Sequence, residues 1–477
     1  MDRQSFTPFD SVSYIWRGLR LPASALSALN LIEDGEFLPS SFKVDHLAQA
    51  SIALSALTAS LFYSTRNRCS VPKVTVPSEH ACVEFKSERL YVLNAKPPSL
   101  PWGTIGGLHK CADGFVRVHD SFPHHRANVL RMLGLPDDAP REEVATKMLL
   151  WRAEELESEA VGYGAVIAAL RSFKEWDAHP QSMAIADFPI DLRKLGDGSP
   201  CCPPVPSGVG NVKCLQGIRV VEMSRVIAAP VAGRTLAAHG ADVIWVTSPT
   251  LPDLPDLDRD LARGKRTVQL DIKQEDDMAK LLELLRTADV FIQSYRPGSL
   301  SEQGLSIEEL KNLNPNLIIA NLSAYGPSGP WAQRRGFDSL VQTCSGLNVA
   351  EADRYGEGEP AHVLPCQALD HGAGYFLAAG IMAALHTRAI HGGSLEVNVS
   401  LAGVMRYLRS LGRYVDRTGY GRKDFATSVE VGNYLETRQS EFGALKAVKH
   451  SATIEGIGVG WDVMPKPLGS DLPVWLQ

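Results

Sequence analysis

Apolar positions along the chain recur with two different periods. Residues 48–62 read Ala-Gln-Ala-Ser-Ile-Ala-Leu-Ser-Ala-Leu-Thr-Ala-Ser-Leu-Phe. They are small or apolar on every face, which predicts a buried helix. A strand over 74–76 and a helix from Ser78 should follow, and Trp16, Leu19, Leu21, Leu26 and Leu29 are expected core positions before it. Asp113-Gly114 is a hairpin signal, and Phe115-Val116-Arg117-Val118-His119 alternates as a strand does. Helices are expected over 126–133, over 142–170 and, briefly, from Ser172.

From Leu215 strands and helices alternate. Strands are expected at 218–223, 243–246, 267–272, 290–292 and 317–322, and helices at 230–239, 276–287 and 307–313. Met278, Leu281, Leu282 and Leu285 mark one helical face. This alternation predicts an α/β fold with a doubly wound, Rossmann-like parallel sheet. Ligands on such sheets sit at the carboxyl ends of the strands. Those ends carry Ser224-Arg225-Val226, Thr247-Ser248-Pro249, Ser294-Tyr295-Arg296-Pro297-Gly298 and Ser323-Ala324-Tyr325-Gly326.

A second buried helix is expected over 376–386, then a Gly392-Gly393 loop, a strand at 397–399 and a helix from Ser400. Asp370-His371 precedes this helix as Asp45-His46 precedes the one at 48–62. We read a diverged internal repeat whose spacing is far too long for a solenoid. Proline-rich stretches at 91–104 and 201–206 read as linkers. The expected division is a truncated repeat of the large domain at 1–95, a small α+β domain at 96–200, the large Rossmann-like domain at 201–415 and a closing segment at 416–477.

Composition narrows the classes. Of 477 residues 44% are apolar and 21% charged, with a formal net charge of −6. That balance argues against a nucleic-acid or anionic-membrane partner. No run approaches the about 18 apolar residues of a membrane span, and Met1-Asp2-Arg3-Gln4 lacks a signal core. The eight cysteines include no Cys-x-x-Cys pair, so zinc is not expected and a reduced, cytoplasmic location is.

Candidate chemistry centres on Asp370. One reading makes it a helix cap. The other makes it a nucleophile kept ionised by the N–H groups of the helix start, with Gly372 and Gly374 letting a ligand approach the backbone. No phosphate-binding loop of the Gly-x-x-x-x-Gly-Lys type occurs, and Gly208-Val209-Gly210 precedes its strand, so a dinucleotide site is not expected. Arg225, Arg263, Lys265, Arg266 and Arg296, at or near strand ends, favour a phosphate-bearing ligand. His119, His124 and His125 lack an acidic partner and read as structural or surface residues. His371 either orients a substrate or packs, and Asp45 reads as a structural cap.

A run of motifs resembles the class III CoA-transferases, the CaiB/BaiF-like group that includes formyl-CoA transferase, the carnitine CoA-transferases and the α-methylacyl-CoA racemases. It begins with Leu215-Gln216-Gly217-Ile218-Arg219-Val220-Val221-Glu222-Met223-Ser224-Arg225-Val226-Ile227-Ala228-Ala229-Pro230. Gly264-Lys265-Arg266-Thr267, Ala288-Asp289-Val290-Phe291-Ile292 and Gly336-Phe337-Asp338-Ser339-Leu340 continue it in family order. The resemblance implies acyl-CoA:carboxylate CoA transfer through an aspartyl anhydride and an aspartyl-CoA thioester, with Asp370 as nucleophile. It implies coenzyme A and acyl-CoA as substrates without a prosthetic group, an acyl-CoA donor, a carboxylate acceptor and a homodimer. Arg225, Val226, Ile227, Ala228, Lys265, Arg266 and Arg296 would then hold the coenzyme. Gly372 and Gly374 would offer N–H groups to the oxyanion. Isomerase, racemase or lyase chemistry, or an inactive relative, are the alternatives. The racemase-type Gly-His-Asp is replaced by Gly336-Phe337-Asp338, which weakens the racemase reading.

Overall fold

The computed structural model describes residues 2–99, 102–203 and 213–476. Its largest sheet has seven strands. Six are parallel: Arg219–Met223, Asp242–Thr247, Lys265–Gln269, Val290–Gln293, Ile318–Ser323 and Leu395–Ser400. Across the sheet they run third, second, first, fourth, fifth, sixth, and Asp191–Lys194 pairs antiparallel with the sixth at the edge. Val220, Val221, Ile292, Ile318 and Val397 are fully enclosed, because both faces of a largely parallel sheet are covered. The order reverses between the first and fourth strands, and that opens a crevice at their carboxyl ends.

Two long helices meet beside this crevice. Ala368–His391 packs against Val44–Asn67 on one side and Ala228–Ala238 on another. A Cβ at Gly372 would lie 3.1 Å from both Leu47 and Val404. One at Gly374 would lie 2.5 Å from the Ala228 carbonyl oxygen and 2.7 Å from Val231 Cβ. The two glycines therefore let helices approach each other. The expectation that they open the backbone to a ligand is corrected. By length and composition both long helices also suffice to cross a membrane, contrary to the reading of the sequence. Here they are core helices, with 89% and 100% of the apolar window buried in protein.

Val44–Asn67 connects two parallel strands of a separate sheet, Leu29–Ile32 and Val74–Pro77, and Thr453–Ile454 adds an antiparallel strand. Ala368–His391 likewise leads into a strand parallel to Ile318–Ser323, namely Leu395–Ser400 with an antiparallel strand on its outer side, but here the helices Asp338–Cys344 and Leu347–Tyr355 are inserted between the first strand and the long helix. Each unit leads directly into a further helix, Ser78–Glu84 or Leu401–Ser410.

A three-stranded antiparallel sheet, Gly107–Lys110, Phe115–Val118 and Ile167–Ala169, has its own core of Val116, Leu130, Val144 and Leu156. The long helix expected over 142–170 is instead two helices, Arg141–Met148 and Ala153–Tyr163, and then a strand. Gly164 stops the second helix with φ 68°, a conformation glycine adopts without steric cost. The stretch expected as a linker at 91–104 contains the strand Val92–Leu93, which pairs with Gly443–Val448. Part of the linker at 201–206, and all of Gly208-Val209-Gly210, lie outside the described residues.

Helix contact at Gly374 is a specific packing requirement. Gly374→Ala should lower stability by about 1–3 kcal/mol, because a carbonyl oxygen and a Cβ cannot yield to the added methyl. Gly162, in the Ala153–Tyr163 helix, has no atom within 4 Å of its virtual Cβ. Gly162→Ala should be neutral or stabilising by about 0.5–1 kcal/mol. Urea unfolding midpoints decide it: equal behaviour of the two variants would rule out the packing account.

Candidate active site

Asp370 lies in the first turn of Ala368–His391 but does not cap it. Asp338, the first residue of the helix Asp338–Cys344, reaches across. Its Oδ2 accepts the N–H of Leu369 at 2.8 Å and of Asp370 at 3.1 Å, and its Oδ1 accepts Gln342 Nε2. The helix N–H groups expected to hold Asp370 ionised are thus used by Asp338. The carboxyl of Asp370 has no hydrogen-bond partner among the described residues, and its oxygens are not sealed off. Burial, then the Asp338 and Glu88 charges, push Asp370 well above the usual carboxylate range. That reverses the expectation drawn from the helix dipole.

Glu88 comes from the short helix Ser87–Leu90, far away in sequence. Its Oε2 meets His371 Nε2 at 3.0 Å, and its Oε1 accepts Arg89 Nε at 3.2 Å. Burial alone would raise Glu88, but His371 and Arg89 outweigh it and bring the group down to about 2. His371 is fully buried and stacks on Phe85, with centroids 5.3 Å apart. Its role here is to pair Glu88. Arg89 also bonds Gln367 Oε1, just before the Asp370 helix.

Asp370 joins two cavities. The inner one, about 70 Å³, is lined by Glu88, Arg89, Trp102, His119, Ser121, Leu257, Phe337 and Asp338 as well as Val226 and Ile227. The outer one, about 340 Å³, is lined by Arg225, Val226, Ile227, Ala228, Arg296, Arg335, His124 and His125. Arg225 stacks its guanidinium 4.4 Å from the Phe122 centroid and donates to the Pro252 carbonyl. Among the described residues Arg225, Arg296 and Arg335 have no carboxylate partner. Partial burial and the neighbouring Arg296 lower the pKa of Arg335. Burial, Arg225 and Arg335 likewise lower that of His124. Unneutralised cations gathered in one cleft suit a polyanion. Val226 has φ 71°, a strained backbone for a β-branched residue and a feature concentrated at functional sites.

The structure brings together Asp370, Arg225, Val226, Ile227, Ala228 and Arg296. It does not bring in Lys265, Arg266 or Arg263. Lys265 is enclosed with Glu222 at 2.8 Å and the Pro230 carbonyl at 2.9 Å. Arg266 pairs with Asp242 at 2.8 Å and lines a different cavity. Arg263 pairs with Asp260, which also binds Arg234 and Ser87. Arg266 sits near the opening of its strand and faces the end of the sheet opposite the crevice, whereas the Lys265 ammonium reaches under the start of the Ala228–Ala238 helix and is fully used there by Glu222 and the Pro230 carbonyl. Gly372 and Gly374 offer no free N–H groups, since both lie inside the helix ladder. Glu88, Arg89, His119 and Arg335 were not anticipated as site residues. No local signal marks the first two, whereas an adjacent motif flags Arg335, which directly precedes Gly336-Phe337-Asp338. Among the described residues no cluster of three potential metal ligands occurs.

Residues 215–422 match CoA-transferase family III. An acyl-CoA transferase of Gibberella moniliformis is 32% identical over 314 residues, 62% of this chain and 54% of that protein. A CaiB/baiF CoA-transferase family protein of Caenorhabditis elegans is 33% identical over 247 residues, 49% of this chain and 69% of that protein. A formyl-CoA:oxalate CoA-transferase of Rhodopseudomonas palustris is 32% identical over 222 residues, 44% of this chain and 51% of that protein. The crystal structure of a CaiB/BaiF family protein from Brucella suis is 28% identical, with a TM-score of 0.38, and covers 49% of this chain and 65% of that one. The chain spans about half the length of most of the curated relatives it matches. The ordered motifs over 215–422 and these relatives place it in one group: the chain belongs to CoA-transferase family III, the CaiB/BaiF family.

Proposed function

We propose that the chain is an acyl-CoA:carboxylate CoA-transferase with Asp370 as its nucleophile. The observation that carries this reading is the unpartnered, buried Asp370 carboxyl where a small inner cavity meets an arginine-lined cleft. The cleft suits the coenzyme phosphates through Arg225, Arg296 and Arg335, and the inner cavity suits the acyl group. Ionised Asp370 attacks the thioester carbonyl, and the C–S bond breaks to release the CoA thiolate. The resulting aspartyl anhydride is attacked by the thiolate at the aspartyl carbonyl, which frees the donor acid and leaves an aspartyl-CoA thioester. The acceptor carboxylate then runs the same steps in reverse order. A covalent route of this kind divides one hard transfer into easier steps. A carboxylate with raised pKa is more basic, and so more nucleophilic, once it is ionised.

We also read the strand order as doubly wound and Rossmann-like, and the two strand-helix-strand units as copies of one ancestral unit. In that reading only one copy works. Asp45 is held by the Tyr414 hydroxyl at 2.7 Å and by Arg422, which suits a structural post and not a nucleophile.

Incubation with acyl-CoA and hydroxylamine should yield a hydroxamate at Asp370, identified by peptide mass spectrometry. Asp370→Ala should reduce transfer about 10³-fold or more. Transfer at the wild-type rate by that variant, or turnover of acyl-CoA with no acceptor carboxylate, would exclude the mechanism. The pH profile gives a second test. Because Asp370 is raised and must be ionised to attack, kcat/KM should fall as pH drops through a midpoint above the ordinary carboxylate range. Asp338→Asn keeps an oxygen for the two N–H groups but removes the neighbouring charge, so the acid limb should move to lower pH. A limb that stays in place, or moves upward, would contradict the coupling.

A further inference from the structure

Among the polar groups of the inner cavity that the transfer steps leave unused, His119 and Ser121 carry a buried atom with no partner, and of the two only His119 has a second polar atom, its other ring nitrogen, to offer. His119 follows the strand Phe115–Val118 of the small antiparallel sheet and lines the cavity beside Phe337, Asp338 and Asp370. Its ring lies flat on Phe337, with centroids 3.7 Å apart and planes 7° apart. Trp102 meets it edge-on at 6.3 Å, and its backbone N–H donates to Val166 at 3.0 Å. The ring is therefore fixed in place. Its Nδ1 is sealed from solvent and makes no well-aligned hydrogen bond, although the backbone of His119 itself lies near the ring. Its Nε2 has no protein partner among the described residues either, but it is not sealed, so it is the nitrogen that opens on the cavity. A buried unpaired polar atom costs stability and calls for an explanation.

The chemistry of the ring follows. Burial lowers the imidazole to about 3, so it is neutral near pH 7. A neutral ring carries one N–H. A proton on Nδ1 would leave a buried donor orphaned, which proteins avoid more strictly than an orphaned acceptor. The proton therefore belongs on Nε2, facing the cavity. Gly372 and Gly374 spend their N–H groups inside the helix, so a donor to the acyl carbonyl has to come from a side chain of the cavity wall.

We propose that His119 is a catalytic hydrogen-bond donor whose Nε2–H holds the carbonyl oxygen of the acyl group while Asp370 attacks it. This rests on the CoA-transfer reading above. As the Asp370 oxygen bonds to the carbonyl carbon, the π pair moves onto the carbonyl oxygen. That oxyanion accepts the His119 hydrogen bond without taking the proton. When the pair returns, the C–S bond breaks and the thiolate leaves. A donor locked by stacking in a small cavity needs no reorganisation as charge develops.

His119→Phe keeps the stacking surface and removes the N–H, and His119→Gln restores a donor. His119→Phe should lower kcat about 10²-fold with KM within about threefold, and should slow formation of the Asp370 adduct in a single turnover by the same factor. His119→Gln should recover about tenfold or more. Binding of an S-alkyl-CoA thioether, which has no carbonyl oxygen, should match wild type within about threefold by calorimetry. His119→Phe with wild-type kcat, or with weakened thioether binding, would overturn the proposal and leave His119 a packing residue. A wild-type protein that forms no Asp370 adduct from any acyl-CoA would instead overturn the transfer reading, and this donor role with it.

Discussion

Two backbone N–H groups, those of Leu369 and Asp370, end on the Asp338 carboxylate. A helix start buried without partners would be costly, so the long central helix depends on this contact. The same contact decides the chemistry at Asp370. With Asp338 satisfying the helix, Asp370 loses the donors that would have lowered its pKa, and burial first, then the Asp338 and Glu88 charges, raise it. One residue therefore both anchors the helix and adds to the burial that raises the group beside it.

Everything near Asp370 is held by close helix packing. Gly374 admits the Ala228 carbonyl, and that contact fixes the Ala228–Ala238 helix whose start lines the arginine cleft. Gly372 admits Leu47 of the Val44–Asn67 helix. The chain that follows that helix then delivers Glu88 and Arg89 to the other wall. The first hundred residues and the sheet thus share one site as well as one core. The buried Asp260, bonded to Arg234, Arg263 and Ser87, ties the same two parts together. A pair of this kind is strongly destabilising to break, because the remaining charge has nowhere to go.

Local patterning carried most of the sheet. The apolar strands, the Pro230 helix start and the capping residues Ser172 and Ser400 all act over a few neighbours, and the elements stand within a few residues of where those signals put them. The sequence was misleading where a distant contact overrode a local one. Glu142 to Leu170 is rich in helix formers, yet Gly164 stops the helix and Ile167–Ala169 pairs with Phe115–Val118, which completes a sheet. Lys265 and Arg266 look like phosphate ligands in a basic run. Arg266 is turned away from the crevice by Asp242, and the Lys265 ammonium is buried under the Ala228–Ala238 helix start, where Glu222 and the Pro230 carbonyl consume it.

The sequence by itself determined that Asp370 begins a buried helix after an alternating α/β run, and that Arg225 and Arg296 follow strands of one sheet. Those statements depend on periodicity and on chain order, which are local. Only the tertiary structure decided which groups face Asp370. Glu88, His119 and Asp338 arrive from three separate segments, and no spacing along the chain encodes their meeting. It also decided the state of Asp370 itself, because a pKa depends on the charges and solvent that the folded chain places around a group.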